Sequence, residues 1–431
     1  VSPASVSRST SRRERAVLVG VCRRSSERAA TEEHLDELAR LAETAGAVVV
    51  GRILQDRGAV SPPTLLRSGK VEELRARCED SEARLVICDE DLSPAQVRNL
   101  EKSLEVTVLD RSALILDIFA RRARSREART QVELAQLRYL LPRLTRQWTH
   151  LSRQAGGIGQ RGVGETQLES DRRVIRRRIA RLDEDLEEIE TERRERRKAR
   201  SGVPRVALVG YTNAGKSTIM NLLTGSSTLV EDRLFATLDP LVRRCTSPGG
   251  DPFLLIDTVG FIRKLPHHLV ASFRSTLEEA ADADLLLIVA DASSPSLGEH
   301  LTTTRDTLEG LGLGQRPSLV VLNKMDRLPA AEIDRLAATY PASIPLSALD
   351  PLDGRRLCAA VQRMVASGIL EETVLIPAAA PDLLARLCGL VRVTGTEVRN
   401  GFLEVRFRSR PEDRRLVERL VTAAGAMADG R

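Results

Sequence analysis

Residues 206–223 read as a buried strand, a glycine-bearing turn and a helix, in that order. Val206-Ala-Leu-Val209 is apolar and partly β-branched, short enough for a parallel strand covered on both faces. Gly210, Tyr211, Thr212, Asn213, Ala214 and Gly215 follow, then Lys216, and Ser217 and Thr218 open a run through Leu223 that reads as a helix. Such a turn aims backbone N–H groups at an anion from a helix N-terminus, the arrangement that cradles a phosphate. Lys216 adds a point charge for β- and γ-phosphates, and Ser217 a hydroxyl for Mg2+. The pattern predicts an α/β fold with a nucleotide at the C-terminal edge of a parallel sheet.

Four further motifs come after it in order. Phe253-Leu-Leu-Ile256 is a second strand-like run, ending at Asp257 and continuing through Thr258, Val259 and Gly260. Asp257 is placed to hold a Mg2+-bound water, and Gly260, lacking a side chain, lets its N–H approach a γ-phosphate. Thr237, in Leu234-Phe-Ala-Thr-Leu-Asp239, is the candidate second Mg2+ ligand on a first switch loop, with Thr228 and Thr246 its rivals by position. Lys216, Thr237 and Gly260 are thus the groups expected to act on the transferred phosphoryl. Leu319-Val-Val-Leu322 leads into Asn323-Lys-Met-Asp326. The Asp326 carboxylate can accept both N1–H and the exocyclic amine of guanine. Adenine offers no such donor pair, and a site of this kind discriminates by about 10⁴-fold. Asn323 is expected to tie this loop to the phosphate loop, and the Lys324 stem to cover one face of the base. Ser347 and Ala348 would offer backbone N–H groups to guanine O6. Together the motifs specify a GTP- and GDP-binding switch.

The residue after Gly260 is Phe261, whose ring can neither orient an attacking water nor stabilise developing charge. Unaided hydrolysis is therefore expected at about 10⁻⁴ to 10⁻² per second. Asn213 is either a turn residue tolerating an unusual backbone angle or a ligand for a monovalent cation such as K+.

Positive charge is concentrated in one module. Residues 121–200 hold 22 Lys and Arg against 13 Asp and Glu, so the rest of the chain is net negative although the total is +6. A polyanionic partner fits that imbalance. Within the module, Leu134, Leu137, Leu141, Leu144, Trp148 and Leu151 form one apolar stripe. Leu168, Ile175, Ile179, Leu182, Leu186 and Ile189 form another. Five glycines in residues 156–164 break the helix between them, so the stripes predict an antiparallel coiled-coil hairpin, with Pro142 kinking its first helix or delaying its start. At the tip, Arg153, Gly156, Gly157, Gly159, Gln160, Arg161, Gly162 and Gly164 combine charge with close backbone access. This suits structured RNA; a solvated turn is the plainer alternative.

The 431 residues predict several domains. Residues 1–13 read as a disordered leader and 14–124 as an α/β docking domain. Residues 125–200 would be the hairpin, 201–370 the nucleotide-binding domain, and 371–431 a small α+β domain. Six scattered cysteines without a CxxC pair predict reduced thiols. No stretch has the apolar length of a membrane span. A monomer in the cytoplasm is expected.

Longer matches carry a resemblance. Leu92-Ser-Pro-Ala-Gln-Val-Arg-Asn-Leu100, Asp110-Arg-Ser-Ala-Leu-Ile-Leu-Asp-Ile-Phe119, the glycine-rich tip and Gly260-Phe-Ile-Arg-Lys-Leu-Pro-His-His268 resemble the HflX family of ribosome-associated GTPases. The resemblance implies an N-terminal domain and arm that engage the RNA of the large ribosomal subunit. It also implies a GTP-gated role in splitting or rescuing stalled ribosomes, with hydrolysis stimulated by the ribosome. Phe261 fits the family's hydrophobic residue at that position, and Asn213 matches a position linked to potassium-assisted hydrolysis. A non-ribosomal RNA GTPase, acting in tRNA modification or rRNA maturation, is the alternative.

Overall fold

A computed structural model gives the structure of the chain. It describes residues 14–22, 28–56, 61–145, 163–198, 203–226, 234–235, 238–246, 252–264, 280–367, 370–378, 381–399, 401–409, 417 and 419–420. The chain forms two compact units, and the main division falls between Glu184 and Asp185.

The first unit is built on four strands: β1 (Arg15–Cys22), β2 (Val48–Asp56), β3 (Leu85–Cys88) and β4 (Thr107–Asp110). All pair in parallel in the order β2-β1-β3-β4. The helices between and after them are α1 (Arg28–Thr44), α2 (Ser68–Asp80), α3 (Pro94–Leu104) and α4 (Arg111–Arg122). Every residue of β3 and all but the first of β1 are buried, which is why these runs are continuously apolar instead of alternating. Ser93 caps α3 in a reciprocal box: its hydroxyl accepts from Gln96 N, and the Gln96 side chain accepts from Ser93 N at 2.9 Å.

Asp110, fully buried at the end of β4, gathers the start of α4 and the end of the helix after it. One carboxylate oxygen accepts from Ala113 N at 2.8 Å and from the Tyr139 hydroxyl at 2.8 Å. The other accepts from the Arg143 guanidinium at 2.9 Å. Tyr139 lies on α5 (Arg126–Leu140), and Arg143 opens the 3-10 turn beyond it. Beside Asp110 in sequence, Arg111 is buried as an ion pair with both Asp89 and Glu37.

Pro142 has no N–H and its ring clashes with the helix behind it, so α5 stops at Leu140. Leu144, expected on the same stripe, falls in the 3-10 turn, while Trp148 and Leu151 lie outside the described residues. The second helix, α6 (Val163–Lys198), begins inside the stretch expected as the turn, with Val163 and Gly164 in its first turn. Glu133 pairs with Arg178 and Arg138 with Asp183, so the contacts advance together along both helices. These two ion pairs join α5 to α6 within the basic module.

In the second unit six strands form one sheet: β5 (Arg205–Gly210), β6 (Leu241–Cys245), β7 (Phe253–Asp257), β8 (Leu285–Asp291), β9 (Ser318–Asn323) and β10 (Ile344–Pro345). Their order is β10-β9-β8-β5-β7-β6, parallel except for β6 against β7. Its described helices are α7 (Lys216–Thr224), α8 (Leu297–Gly310), α9 (Ala330–Thr339) and α10 (Pro351–Ser367). On β5 the side chains alternate between two cores: Ala207 and Val209 pack into one, Val206 and Leu208 into the other. With both faces covered, the open edge at the strand C-termini is where a ligand fits.

After α10, β11 (Leu370–Pro377), α11 (Pro381–Leu390), β12 (Arg392–Arg399) and β13 (Phe402–Ser409) form a small antiparallel sheet with a helix, in the strand order β11-β13-β12. Val374, Ile376, Leu387, Val405 and Phe407 are its core. Beyond β13, residues 417, 419 and 420 are described, as helix. None of the six cysteines is in a disulfide. Among the described residues no helix is long and apolar enough to cross a membrane.

Candidate functional site

Four strand ends converge at one edge of the six-stranded sheet: Gly210 on β5, Asp257 on β7, Asp291 on β8 and Asn323 on β9. Between β5 and α7 the chain turns through Asn213 (φ +61°) and Gly215 (φ +96°), two left-handed residues that let it double back onto the helix N-terminus. Lys216 is buried, and its ammonium folds back to donate to the Gly210 carbonyl at 3.1 Å and the Tyr211 carbonyl at 2.8 Å. Burial lowers its pKa to about 8, opposed by the nearby Asp257 carboxylate. Ala214 is buried, and Thr218 is half-buried in the first turn of α7.

Ser217 Oγ donates to Asp257 Oδ2 at 2.7 Å, bringing a hydroxyl and a buried carboxylate together beside the Lys216 ammonium. These hard oxygen donors suit Mg2+. The ion, held by Ser217 and through water by Asp257, would neutralise charge on a bound triphosphate. Thr237 and its rival Thr228 lie outside the described residues, and Thr246 is exposed just after β6.

The base-side loop is tied to the phosphate loop by several bonds. Asn323 Nδ2 donates to the Ala214 carbonyl at 2.8 Å, and its Oδ1 accepts from Ala348 N at 3.0 Å. Lys324 Nζ donates to the Asn213 carbonyl at 2.8 Å and to Asp291 Oδ2 at 2.7 Å. Asp326 is exposed, with one oxygen accepting from the Ser347 hydroxyl at 2.6 Å. Ser347 N donates to Asp353 Oδ2 at 2.8 Å. Both backbone N–H groups assigned to guanine O6 therefore already have acceptors within the protein, so the base must share or displace those bonds.

Gly260 closes the phosphate side. A β-carbon there would stand 2.8 Å from Lys216 Nζ and 2.8 Å from Thr212 Cα, so no side chain fits. Thr258 is fully buried and its hydroxyl donates to the Leu208 carbonyl at 2.7 Å; Val259 beside it is buried too. Phe261 lies in the core, its N–H donating to the Gly210 carbonyl at 3.0 Å and its carbonyl accepting from Thr212 N at 2.8 Å. Arg263 N donates to the Tyr211 hydroxyl at 2.9 Å, while the Tyr211 ring stacks on His300 at 3.8 Å. The second switch thus begins fastened to the phosphate loop.

Sequence reasoning passed over Asp291, Asp353 and His300. Asp291 carried a readable signal, as a carboxylate ending the apolar run Leu285–Ala290. Asp353 and His300 carried none, because their roles exist only once α8 and α10 are packed. Of the residues assigned to RNA, Arg153, Gly156, Gly157, Gly159, Gln160, Arg161 and Gly162 lie outside the described residues.

The family model described as "GTP-binding GTPase N-terminal" matches residues 32–120. "GTP-binding GTPase Middle Region" matches 122–200, and "50S ribosome-binding GTPase" matches 205–324. The chain is 49% identical over 324 residues to GTPase HflX of Lacrimispora saccharolytica, covering 75% of this chain and 76% of that one. To GTPase HflX of Magnetococcus marinus it is 44% identical over 391 residues, covering 90% of each chain. To GTPase HflX of Escherichia coli K12 it is 44% identical over 349 residues, covering 80% and 82%. With its phosphate loop, switch and base loop assembled on one sheet edge, the chain is a GTP hydrolase that belongs to the HflX family of GTPases.

Proposed function

We propose that this GTPase binds the large ribosomal subunit and uses GTP binding and hydrolysis to split, rescue or recycle stalled ribosomes. The observation that carries the reading is the union, in one chain, of a guanine-nucleotide site with a strongly basic module. Residues 121–200 hold 22 basic against 13 acidic residues. Such a surplus gains affinity for RNA phosphates by counterion release. The glycine-rich segment around Arg153 and Arg161 is the part proposed to touch rRNA. Phe261, buried and unable to orient water, fits slow hydrolysis that awaits the ribosome. Mg2+ is the divalent cofactor, and K+ at Asn213 is the proposed aid to hydrolysis. The protein would act as a cytoplasmic monomer.

The test is co-sedimentation with ribosomal subunits in the presence of a non-hydrolysable GTP analogue or GDP, with hydrolysis measured in K+ and in Na+ buffers. Large-subunit binding favoured by the analogue, with turnover raised by ribosomes, is the expected result. Equal binding to free tRNA with none to the large subunit would overturn it in favour of a non-ribosomal RNA GTPase. Replacing Arg153 and Arg161 by Ala should flatten the salt dependence of subunit binding by up to about two units of slope. An unaltered slope would remove the tip from the interface.

A further inference from the structure

Two consecutive residues of α8, Glu299 and His300, grip the start of the second switch from outside the nucleotide site. Glu299 Oε2 accepts from the Arg263 guanidinium at 2.6 Å. The His300 ring lies flat on the Tyr211 ring, with centroids 3.8 Å apart and planes 16° from parallel. The Tyr211 hydroxyl in turn accepts from Arg263 N at 2.9 Å. Arg263 is therefore held twice, directly by its guanidinium and at its main chain through a stacked tyrosine.

The stretch from Gly260 to Arg263 is fixed differently at its two ends. Near Gly260, main-chain bonds join it to the phosphate loop: Phe261 N donates to the Gly210 carbonyl, and Thr212 N to the Phe261 carbonyl. At Arg263 the hold passes through side chains, so it depends on what α8 presents. Tyr211 links the two ends, because its carbonyl accepts from the Lys216 ammonium at 2.8 Å while its ring meets α8. Phe261 cannot orient water, so hydrolysis relies on where the Gly260 N–H stands against the transferred phosphoryl. About 1 Å of misplacement at such a point costs up to about a hundredfold in rate.

The two grips differ in strength. The Glu299 side chain is 56% exposed, so its ion pair with Arg263 is screened by solvent. Tyr211 is buried, and a stacked pair of rings is the firmer hold.

Resting on the GTP-site reading above, we propose that His300 is a positioning residue for GTP hydrolysis. Its ring fixes Tyr211, whose hydroxyl sets the main chain at Arg263 and, through it, the approach of Gly260 to the terminal phosphoryl group. Glu299 is the weaker brace. Because His300 acts through Tyr211 and not on the nucleotide, its loss changes turnover and leaves GDP affinity nearly unaltered.

The test compares His300→Ala, which removes the stack, with His300→Phe, which keeps a flat ring. Tyr211→Phe removes the acceptor while keeping its own ring, and the double variant His300→Ala/Tyr211→Phe closes the cycle. Single-turnover hydrolysis, GDP affinity and thermal midpoint are measured for each. His300→Ala should slow hydrolysis by about two- to tenfold, with GDP affinity within about twofold of wild type. His300→Phe should stay near wild type, and Tyr211→Phe should slow hydrolysis by about two- to tenfold. Since both residues act through Arg263 N, the double variant should be no slower than the worse single one, to within about twofold. Glu299→Gln should cost less than about twofold. If His300→Ala does not fold, His300→Leu, which has bulk without a flat ring, takes its place. Multiplied effects in the double variant, a phenylalanine variant as slow as alanine, or a Glu299→Gln loss exceeding that of His300→Ala would overturn the proposal. So would a lowered thermal midpoint with unchanged turnover, which would make the stack a packing contact. Failure of the wild-type protein to bind any guanine nucleotide would instead overturn the underlying GTP-site reading.

Discussion

A methyl group on Gly215 would stand 2.1 Å from Nδ2 of Asn323, the atom that donates to the adjacent Ala214 carbonyl at 2.8 Å. The phosphate loop and base loop are joined so closely that one added carbon cannot enter without parting them. Gly215 also holds φ +96°, which costs a residue with a β-carbon about 1–2 kcal/mol. Gly215→Ala is therefore expected to lower GDP affinity by about a hundredfold or more while costing about 1–3 kcal/mol of stability. Titration with a fluorescent GDP analogue, beside urea unfolding, measures both. Retained affinity would show that the two loops are not coupled through this contact.

Lys216 makes nucleotide binding depend on pH in a fixed direction. Burial brings its pKa to about 8 from 10.5. A lowered folded value means that the unfolded chain binds more protons between those limits. Stability without nucleotide should thus rise as pH climbs from about 8 to 10.5, by at most about 3 kcal/mol, with the penalty fully present below 8. Phosphates restore the cation, so GDP binding should take up a proton at pH 9 and almost none at pH 7. Calorimetry in buffers of different ionisation heat reads that uptake, and Lys216→Met should abolish it.

Asp326 is exposed and braced by the Ser347 hydroxyl, so its carboxylate is held in place while remaining accessible to a base. Asp326→Asn should weaken GDP by about 10²-fold or more and improve the relative binding of xanthosine diphosphate. Competition between the two nucleotides decides it, and unchanged preference for guanine would remove Asp326 from the base site.

Asp353 fastens the neighbouring loop by accepting from Ser347 N at 2.8 Å. Removing it in Asp353→Ala frees one backbone bond, expected to cost about two- to tenfold in GDP affinity through a looser loop. If affinity rises instead, Asp353 competes with the base for that N–H; equilibrium titration separates the two outcomes.

The P-loop strand and helix were legible because burial on both faces leaves an unbroken apolar run, Val206–Val209, and a glycine turn has few uses between such a strand and a helix. Pro142 reads as kinking the first helix or delaying its start, whereas α5 starts at Arg126 and ends at Leu140, just before it. Which residues of α5 meet which of α6 was not legible. An apolar stripe such as Leu134, Leu137 and Leu141 records which face is buried and says nothing about how its partner runs. The ion pairs Glu133–Arg178 and Arg138–Asp183 join the two helices, and they exist only in three dimensions. The tie from Asn323 to the phosphate loop was legible from the order of the motifs, although its acceptor, the Ala214 carbonyl, lies 109 residues away. The hydroxyl of Thr212 illustrates the limit from the other side: its identity was plain, but only burial exposes its want of a partner.

Asp110 offers the sharpest test of how the N-terminal sheet holds the first helix of the basic module. It is fully buried, caps α4 through Ala113 N, and receives Tyr139 and Arg143 from α5 and the turn after it. Burial, and then the Asp110 charge, push the Tyr139 hydroxyl pKa well above its ordinary value, so it stays a donor. The Arg143 guanidinium also lies 3.4 Å above the Tyr139 ring, adding a cation–π contact to the pair. Asp110→Ala would strand a guanidinium whose side chain is 22% exposed and remove a helix cap, together worth about 3–5 kcal/mol. Asp110→Asn keeps the cap and one oxygen for Tyr139 and should cost less, about 1–3 kcal/mol. Hydrogen exchange distinguishes an anchor from a general core defect. In Asp110→Ala the amides of Val132–Leu140 should lose protection at denaturant concentrations where those of β1 keep it. Loss of protection in β1 and α5 together would mean that Asp110 supports the whole sheet and does not specifically fasten the arm.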